Sequence, residues 1–468
     1  MYRQLGMAAA ISPAERNALG HSRRKQLRRQ EHAQWRPAAH RLSPVTTIAR
    51  SMRGRIASLV ALKYERMLAS PFGFFRGAVP VMAADLATLP NTGILSQICG
   101  DAHVRNLGAY AAPDGRLVFD INDFDETCAA PFEWDLKRMA TSLVLAGREN
   151  GHKSSACGEA VFILAQSYRR LAASLARTPV MELARYQVHR LERVTPVSEA
   201  LRKAERETPL GTLGRFTEES KPKEINPDKS GYARRRFKDE PPLLTRLPLA
   251  QARAVLASFA AYRNSLLPER RHFLDQYVPV DVVFKVVGTG SVGLRDYLVY
   301  LEGNGANDPL FLQIKEEPGS AYAPYLAAHG AARAATHQGQ RVAEGQRAMQ
   351  WQSDPFLGWT TIANRDYLVR QLNDHKASVD LEALQGAGLA EYAAVCGELL
   401  ARGHARSGDV HLITGYLGAG SKQDKFDHAL GAFAEAYADQ TEADWHALVA
   451  SRKRAAPKAK VSASPAAK

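Results

Sequence analysis

Nothing in this chain of 468 residues runs apolar for the ~18 positions that a bilayer crossing needs, which excludes a helical membrane span. Cysteine is scarce: Cys99, Cys128, Cys157 and Cys396 form no CxxC pair and no regular framework, so they read as free thiols in a reducing cytoplasm. A secretory leader is not expected, because residues 7–11 are the only apolar patch before a series of arginines. No internal repeat is visible. Acid is absent from residues 452–468, which carry six Lys/Arg, and nearly absent from residues 1–60, where twelve Lys/Arg face only Glu15 and Glu31. These ends supply +6 and +10 of the overall +14, leaving the body near −2. Basic tails can touch nucleic acid or a membrane surface without selectivity, so the net charge says little about the core activity. What is present, 45% hydrophobic and 24% charged residues, is the composition of an ordinary globular protein long enough for two lobes.

The stretch that organises the chain is residues 99–126, CGDAHVRNLGAYAAPDGRLVFDINDFDE. It gathers Asp101, His103, Asn106, Asp120, Asn122, Asp123, Asp125 and Glu126 between two runs that read as short buried strands. Carboxylates repel, so this density points to a shared cation. Hard oxygen donors with few sulfur neighbours favour Mg²⁺ or Mn²⁺ over zinc, and phosphoryl transfer is the chemistry that most often uses such a site.

Around it, periodicity predicts a basic helix over residues 13–31, a helix over 44–69, a dense aromatic turn at Phe72, Phe74, Phe75 and Arg76, and helices from Pro131, over 156–175 and over 180–206. Residues 214–242 read as a mobile charged loop, followed by a helix over 249–267. From Val278 the texture turns to β, with DVVFKVVG, DYLVYLEG and PLFLQIKEE. A helix over 340–352, a strand over 366–372 and helices over 389–403 and 428–449 complete the chain.

The second constellation is Gly288-Thr289-Gly290-Ser291-Val292-Gly293. GxGxxG serves two unrelated folds: in a dinucleotide-binding unit a helix follows, in a kinase the glycines lie in a β-hairpin over the phosphates. Residues 294–301 are β-rich, which favours the hairpin. The next strand carries Lys315, positioned as the lysine that pairs with nucleotide phosphates. Glu344, in the following helix, is expected to hold it by an ion pair; Glu316 and Glu317 are disfavoured as too near on the same strand end.

Gly100-Asp101-Ala102-His103-Val104-Arg105-Asn106 resembles the GDxHxxN catalytic loop of aminoglycoside phosphotransferases and choline kinases, and Asp123-Phe124-Asp125 lies where their metal-binding aspartate follows. Asp135 resembles the later aspartate that braces that loop. From Ser12 to about Trp445 the chain is similar to a bacterial family, domain of unknown function 2252, through SPFGFFRG, GDAHVRN, FDINDFDET, VVGTGSVG, LQIKEE, GQRVAEGQR and ARGHARSGD. The resemblance implies an α+β, bilobal protein kinase-like fold. Because the glycine loop and Lys315 follow the catalytic loop in sequence, the fold would be circularly permuted. The implied divisions are a basic, partly disordered segment (1–45), a helical lobe with the catalytic and metal loops (46–275), a β-rich nucleotide lobe (276–375), helices completing the larger lobe (376–450) and a disordered basic tail (451–468).

The implied roles are Asp101, Lys315 and Glu344 as catalytic residues, and Gly288, Gly290, Ser291, Gly293 and Lys315 as the ATP contacts. Asn106, Asp123 and Asp125 would be the Mg²⁺ or Mn²⁺ ligands. His103 is expected to fix its loop more than to bind metal, and Asp120 and Asn122 to end a strand; Arg76 could reach a phosphate but is expected to stack on its phenylalanines, and His404, Arg406 and Asp409 could contact substrate but are expected to form a helix cap. The acceptor, a hydroxyl or an amine, is not named by the sequence, and neither is the oligomeric state. Three rivals are weighed against this cytoplasmic Mg-ATP phosphotransferase. A metallophosphoesterase lacks its GNH signature. A kinase-like scaffold that binds nucleotide without turnover would not need all these side chains together. An RNA-associated protein is supported only by the tails.

Overall fold

The computed structural model describes residues 11–188, 193–219, 235–286, 288, 290–329, 335–372, 375–420 and 423–455. Residues 1–10 of the basic segment, residues 220–234 of the charged loop and the tail past residue 455 lie outside these. The described chain is a mixed α+β protein with about 54% helix and 16% strand.

Four short strands frame the acidic stretch. β1 (Leu95–Ile98) pairs with β4 (Cys128–Pro131), and between them β2 (Leu107–Ala111) pairs with β3 (Leu117–Ile121), all antiparallel. β5 (Thr217–Glu219) and β6 (Arg235–Phe237) form a separate ribbon. A larger antiparallel sheet combines β7 (Leu244–Arg246), β8 (Val278–Lys285), β9 (Asp296–Gly303), β10 (Gly305–Glu316), β11 (Gly358–Ile362) and β12 (Arg365–Gln371), in the order β11-β12-β10-β9-β8-β7. β13 (Ala377–Ser378) returns to pair with β2.

The alternation of side chains along a strand explains how this sheet is covered. Every residue of β9 is buried. Tyr297, Val299 and Leu301 enter one core with Val255, Tyr262 and Leu266, whereas Leu298 and Tyr300 enter another with Leu213 and Phe237. Helices Leu249–Ala257, Phe259–Ser265 and Pro268–Leu274 therefore belong with the sheet and not with the helical lobe, and β7 adds its edge strand. The β-rich unit thus begins well before residue 276, because these helices need the apolar face of β9 and β10 to cover their own.

On the helical side, Glu133–Glu149 is buried on nearly every face. It packs among Ser154–Leu175, Gly388–Ser407 and Lys425–Ala455. The helix expected over 44–69 is two, Pro44–Ser51 and Ala57–Leu68, separated by Gly54 at φ 80°. The helix expected over 180–206 is likewise Val180–Arg185 and Thr195–Arg206, and the aromatic turn is the short helix Pro71–Gly77.

The basic N-terminal segment is built into the body from residue 13 onward. Helix Pro13–Ser22 lies against helix Val410–Leu417 so closely that a Cβ on Gly20 would stand 2.1 Å from the Leu412 carbonyl oxygen, and one on Gly415 2.0 Å from that of Asn17. Arg24 donates to the carbonyls of Tyr416 (2.7 Å) and Gly415 (2.8 Å), and Arg29 to that of Leu417 (2.5 Å). These are the carbonyls that a helix end leaves without partners, at the negative pole of its dipole. Among the described residues no helix is long and apolar enough to cross a membrane.

Helix Gly388–Ser407 meets Ser154–Leu175 at Gly397, where a Cβ would stand 2.2 Å from the Leu164 carbonyl oxygen. Gly397→Ala should therefore lower stability to denaturant by about 1–3 kcal/mol. Gly158→Ala, with open space around its new methyl in helix Ser154–Leu175, should raise it by about 0.4–1 kcal/mol. Unfolding curves of the two variants check both signs.

Candidate functional site

The loop after β1 is fixed from beneath. Both oxygens of Asp135 accept backbone N–H groups, Oδ2 from Cys99 (2.8 Å) and Oδ1 from Gly100 (2.9 Å), while Tyr322 donates its hydroxyl to the Gly100 carbonyl (2.8 Å). Gly100 sits at φ 81°. A Cβ there would stand 2.4 Å from the Glu126 carbonyl oxygen, so only glycine lets the two loops touch. Asp135 is held in turn by His404, whose Nε2 is 3.3 Å from Oδ2 and whose Nδ1 pairs with the Tyr168 hydroxyl at 2.9 Å. This brace turns Asp101 toward Arg138, which donates from Nε to Oδ1 at 2.6 Å. Burial raises the Asp101 carboxyl above its ordinary range, against the pull of Arg138. His103 is buried 3.8 Å from Asp101, and burial together with Arg76 and Arg138 pushes its pKa down, so it stands neutral. Its Nδ1 accepts the Arg105 N–H at 3.2 Å, the loop-fixing role the sequence suggests. Asn106 donates from Nδ2 to the Asp101 carbonyl at 2.8 Å, which leaves Oδ1 directed away from that bond.

The acids after β3 meet Lys315 although 190 positions separate it from Asp125. Lys315 Nζ donates to both oxygens of Asp125, Ser291 Oγ donates to Asp125 Oδ2 at 3.1 Å, and the Asp125 N–H reaches Asp123 Oδ1 at 3.3 Å. Burial alone would raise Asp125, but Lys315 outweighs it and holds this carboxyl well below the usual range. Among the described residues Asp123 forms no ion pair; burial and the neighbouring Asp125 push it up to about 6, against the weaker pull of Lys315 and Arg370. Burial would lower Lys315, yet Asp125, Asp123 and Glu317 keep it firmly protonated. The second carboxylate at Lys315 is Glu317 Oε1, 3.9 Å from Nζ. Neither Glu317 oxygen has a hydrogen-bond partner among the described residues, and burial followed by Asp125 pushes its pKa well up.

Glu344 is not at this site. In helix Gln338–Met349 it is exposed, accepts from Gln340 Nε2 at 2.7 Å, and lines a different cavity. The reason is helical geometry: Gly345, one step of 100° away, is the residue packed on Thr127 of the acidic loop, which leaves Glu344 turned aside. Arg341 from the same helix reaches that loop instead, donating to the carbonyls of Thr127 (2.7 Å) and Asp125 (2.8 Å).

The glycine motif connects β8 to β9, and a strand, not a helix, follows Gly293. Gly290 and Ser291 line the same cleft as Lys315, Asp101, Asn106 and Asp123, a space of about 390 Å³. The hairpin is clamped by the preceding helical segment: Ile56 N–H donates to the Gly293 carbonyl (2.7 Å), Arg55 to that of Val292 (2.6 Å) and Lys63 to that of Gly290 (2.7 Å). Gly293, at φ 87°, would place a Cβ 3.0 Å from the Arg55 Cβ.

The sequence did not point to the basic character of this cleft. Besides Lys315 and Arg76, it is lined by Arg55, Lys63, Arg105, Lys285, Arg370 and Lys376, against the carboxylates of Asp101, Asp123, Asp125 and Glu126. Burial, helped by Arg55, brings Lys63 down to about 7; Arg370 first and burial second bring Lys376 to about 7. Only Arg105 sat inside a recognised motif; the others come from five separate segments with no local pattern. Three further expectations resolve structurally. Asp120 forms a buried ion pair with Arg402 (2.5 Å). Asp409 caps helix Val410–Leu417 by accepting the His411 N–H at 2.9 Å. Arg138, not Arg76, stacks over Phe75, at 4.2 Å from the ring centre.

Among the described residues no three His, Cys, Asp or Glu side chains are grouped to hold a metal by themselves. The donors present are Asp123, the Asn106 carboxamide and an Asp125 already engaged by Lys315. This set suits Mg²⁺, which takes one or two carboxylates and completes its shell with water and phosphate oxygens. It does not suit zinc.

The two aspartates should respond oppositely to neutralisation. Asp123 is raised, so its charge costs stability once the pH exceeds the unfolded carboxylate value, and that cost disappears as the pH falls back through the folded pKa. Asp123→Asn should stabilise the protein at about pH 8 by on the order of 1 kcal/mol and leave it unchanged near pH 3–4. Asp125→Asn, which strands Lys315, should destabilise it at about pH 8 by on the order of 2 kcal/mol. Denaturant unfolding at both pH values checks the contrast.

No curated protein and no solved structure matches the chain. The profile of a family described as "Uncharacterized protein conserved in bacteria (DUF2252)" matches residues 55–451, a span that begins at the arginine clamping the glycine hairpin and includes the charged side chains that line the cleft, and the chain belongs to that family.

Proposed function

We propose that the protein is a Mg-ATP-dependent phosphotransferase with a kinase-like, circularly permuted bilobal fold. The observation that carries this reading is the meeting of Lys315 with Asp125 beneath Ser291, in one cleft with Asp101 and Asn106. A lysine from the sheet, a glycine hairpin beside it and an Asp/Asn loop opposite are the parts phosphoryl transfer needs, since that chemistry depends on positioning and charge neutralisation.

In this reading Gly288, Gly290, Ser291 and Gly293 let the hairpin backbone approach phosphate oxygens, and Lys315 neutralises them. Asp123 and Asn106 would hold Mg²⁺, with Asp125, now engaged by Lys315, as a further donor. The metal supplies charge neutralisation at the phosphates. Asp101 takes the proton of the acceptor hydroxyl, for which a carboxylate raised by burial is the better base. The acceptor oxygen bonds to the terminal phosphorus, the bond from that phosphorus to its bridging oxygen breaks, and ADP departs with the electron pair. Glu317 replaces Glu344 as the second carboxylate beside Lys315. A nucleotide-binding scaffold without turnover is the second reading, favoured by the fact that Lys315 and Ser291 already occupy Asp125.

Calorimetry should show ATP binding that strengthens with Mg²⁺ and weakens at least about tenfold in Lys315→Met. With labelled ATP, the γ-label and not the α-label should appear in product, and Asp101→Asn should bind nucleotide without transferring label. Absence of binding at millimolar nucleotide refutes both readings; binding without any transfer across a panel of hydroxyl acceptors selects the scaffold.

A further inference from the structure

The cleft has more positive charge than a nucleotide and its metal require, and part of that excess, Arg76 and Arg105, acts near Asp101. Arg76 ends the helix Pro71–Gly77 and lines the cleft next to Arg105. Its Nε is buried without a hydrogen-bond partner, and the guanidinium makes no hydrogen bond or ion pair within the described residues. The Arg105 side chain makes none either; only its backbone N–H is engaged, by His103. Burial disfavours the Arg76 charge, Arg105 adds repulsion, and Asp101 and Asp123 offset this only in part. Asp101, the acid that acts on Arg76 most strongly, is already paired with Arg138 at 2.6 Å. Helix Val79–Thr88 starts at the same wall with no side chain capping its N-terminus, so its positive pole adds to the field there.

Two arginines held side by side, one of them largely buried and both without a carboxylate, store unfavourable energy that an anion would relieve. Among the described residues neither guanidinium makes a hydrogen bond or an ion pair that would stabilise the fold. Arg138, by contrast, is fully buried and fully engaged, with Asp101, the Phe75 carbonyl and the Phe75 ring. We infer that Arg76 and Arg105 form an anion-binding subsite beside Asp101 that selects the acceptor: a hydroxyl compound bearing a phosphate or carboxylate group, and not a cation. The inference rests on the phosphotransferase reading for the word acceptor, while the anion site itself rests on the two arginines alone. A guanidinium pair is suited to this because it grips a tetrahedral or planar anion at two points and so fixes where the attached hydroxyl lies relative to Asp101. An acceptor recognised by its positive charge, such as a polyamine or a quaternary amine, would meet repulsion at the same wall.

The test is calorimetric titration of the full chain with inorganic phosphate, first alone and then saturated with Mg²⁺ and a non-hydrolysable ATP analogue. Phosphate should bind in both states. Arg76→Gln and Arg105→Gln should each weaken it at least about tenfold while changing nucleotide affinity less than about twofold. Arg76 has no polar partner to strand, so its variant should fold, and thermal unfolding verifies this; Arg105→Gln is the independent second probe. Choline, as a cationic probe, should not bind. If the nucleotide-saturated protein fails to bind phosphate, or if both variants weaken nucleotide as much as phosphate, the arginines serve the nucleotide and the inference falls. If nucleotide never binds but phosphate does so through Arg76 and Arg105, the anion site stands and the phosphotransferase reading falls.

Discussion

A charge taken out of water has to be matched inside the protein, and in this chain that requirement is concentrated on one helix, Glu133–Glu149. It passes through the helical half almost wholly buried, yet it carries Glu133, Asp135, Lys137 and Arg138 inward. Each is answered. Glu133 accepts from Thr92, Asp135 takes two backbone N–H groups and His404, Lys137 lies 4.4 Å from the Phe433 ring centre, and Arg138 holds Asp101. Asp135 and Arg138 are one turn apart, so a single rigid element sets both the backbone of the Asp101 loop and the direction of its carboxylate. The acidic loop is positioned relative to the same element through Gly100, which lies directly on Glu126.

The cleft inverts this rule. Asp123, Arg76 and Arg105 on its wall, and Glu317 behind Lys315, are desolvated to some degree and under-matched among the described residues, whereas the four charges of helix Glu133–Glu149 are each answered. Under the proposed phosphotransferase reading, these are the groups that the fold keeps available for nucleotide, metal and acceptor at a cost in stability. Lys315 and Asp125 satisfy each other and so hold the two halves of the chain together across the cleft.

Much of this was legible in the sequence because it was local. The alternation in DYLVYLEG announced a strand with two covered faces, the GDAHVRN and INDFDE runs announced paired loops, and the β-texture after Gly293 ruled for a hairpin. What was not legible depended on how distant segments meet. Glu344 had the right residue type on the right helix, but a rotation of one residue decided that Gly345 and Arg341 face the loop. Glu317 looked too near Lys315 to pair with it, yet two positions apart on an extended end they share a face. The basic lining of the cleft comes from Lys63, Lys285, Arg370 and Lys376, on separate elements, none carrying a pattern that periodicity or spacing detects. The N-terminal arginines misled by composition: a cluster that looked like a free arm is used on the carbonyls of helix Val410–Leu417.

The close seating of Gly397 on Leu164 also has a consequence for the chain as it is made. These residues are 233 positions apart, and at ~5–20 residues per second the ribosome needs roughly 10–50 s to supply the second after the first. Throughout that interval the helix Ser154–Leu175 has emerged, but its partner has not, and the apolar residues Val161, Leu164, Ala165 and Tyr168 lack their cover. The His404 brace for Asp135 arrives later still. Until residues 388–407 are made, helix Glu133–Glu149 is the cover that Ser154–Leu175 already has, and the face that receives Gly397 waits, which makes the docking of Gly388–Ser407 a late step in building the helical half.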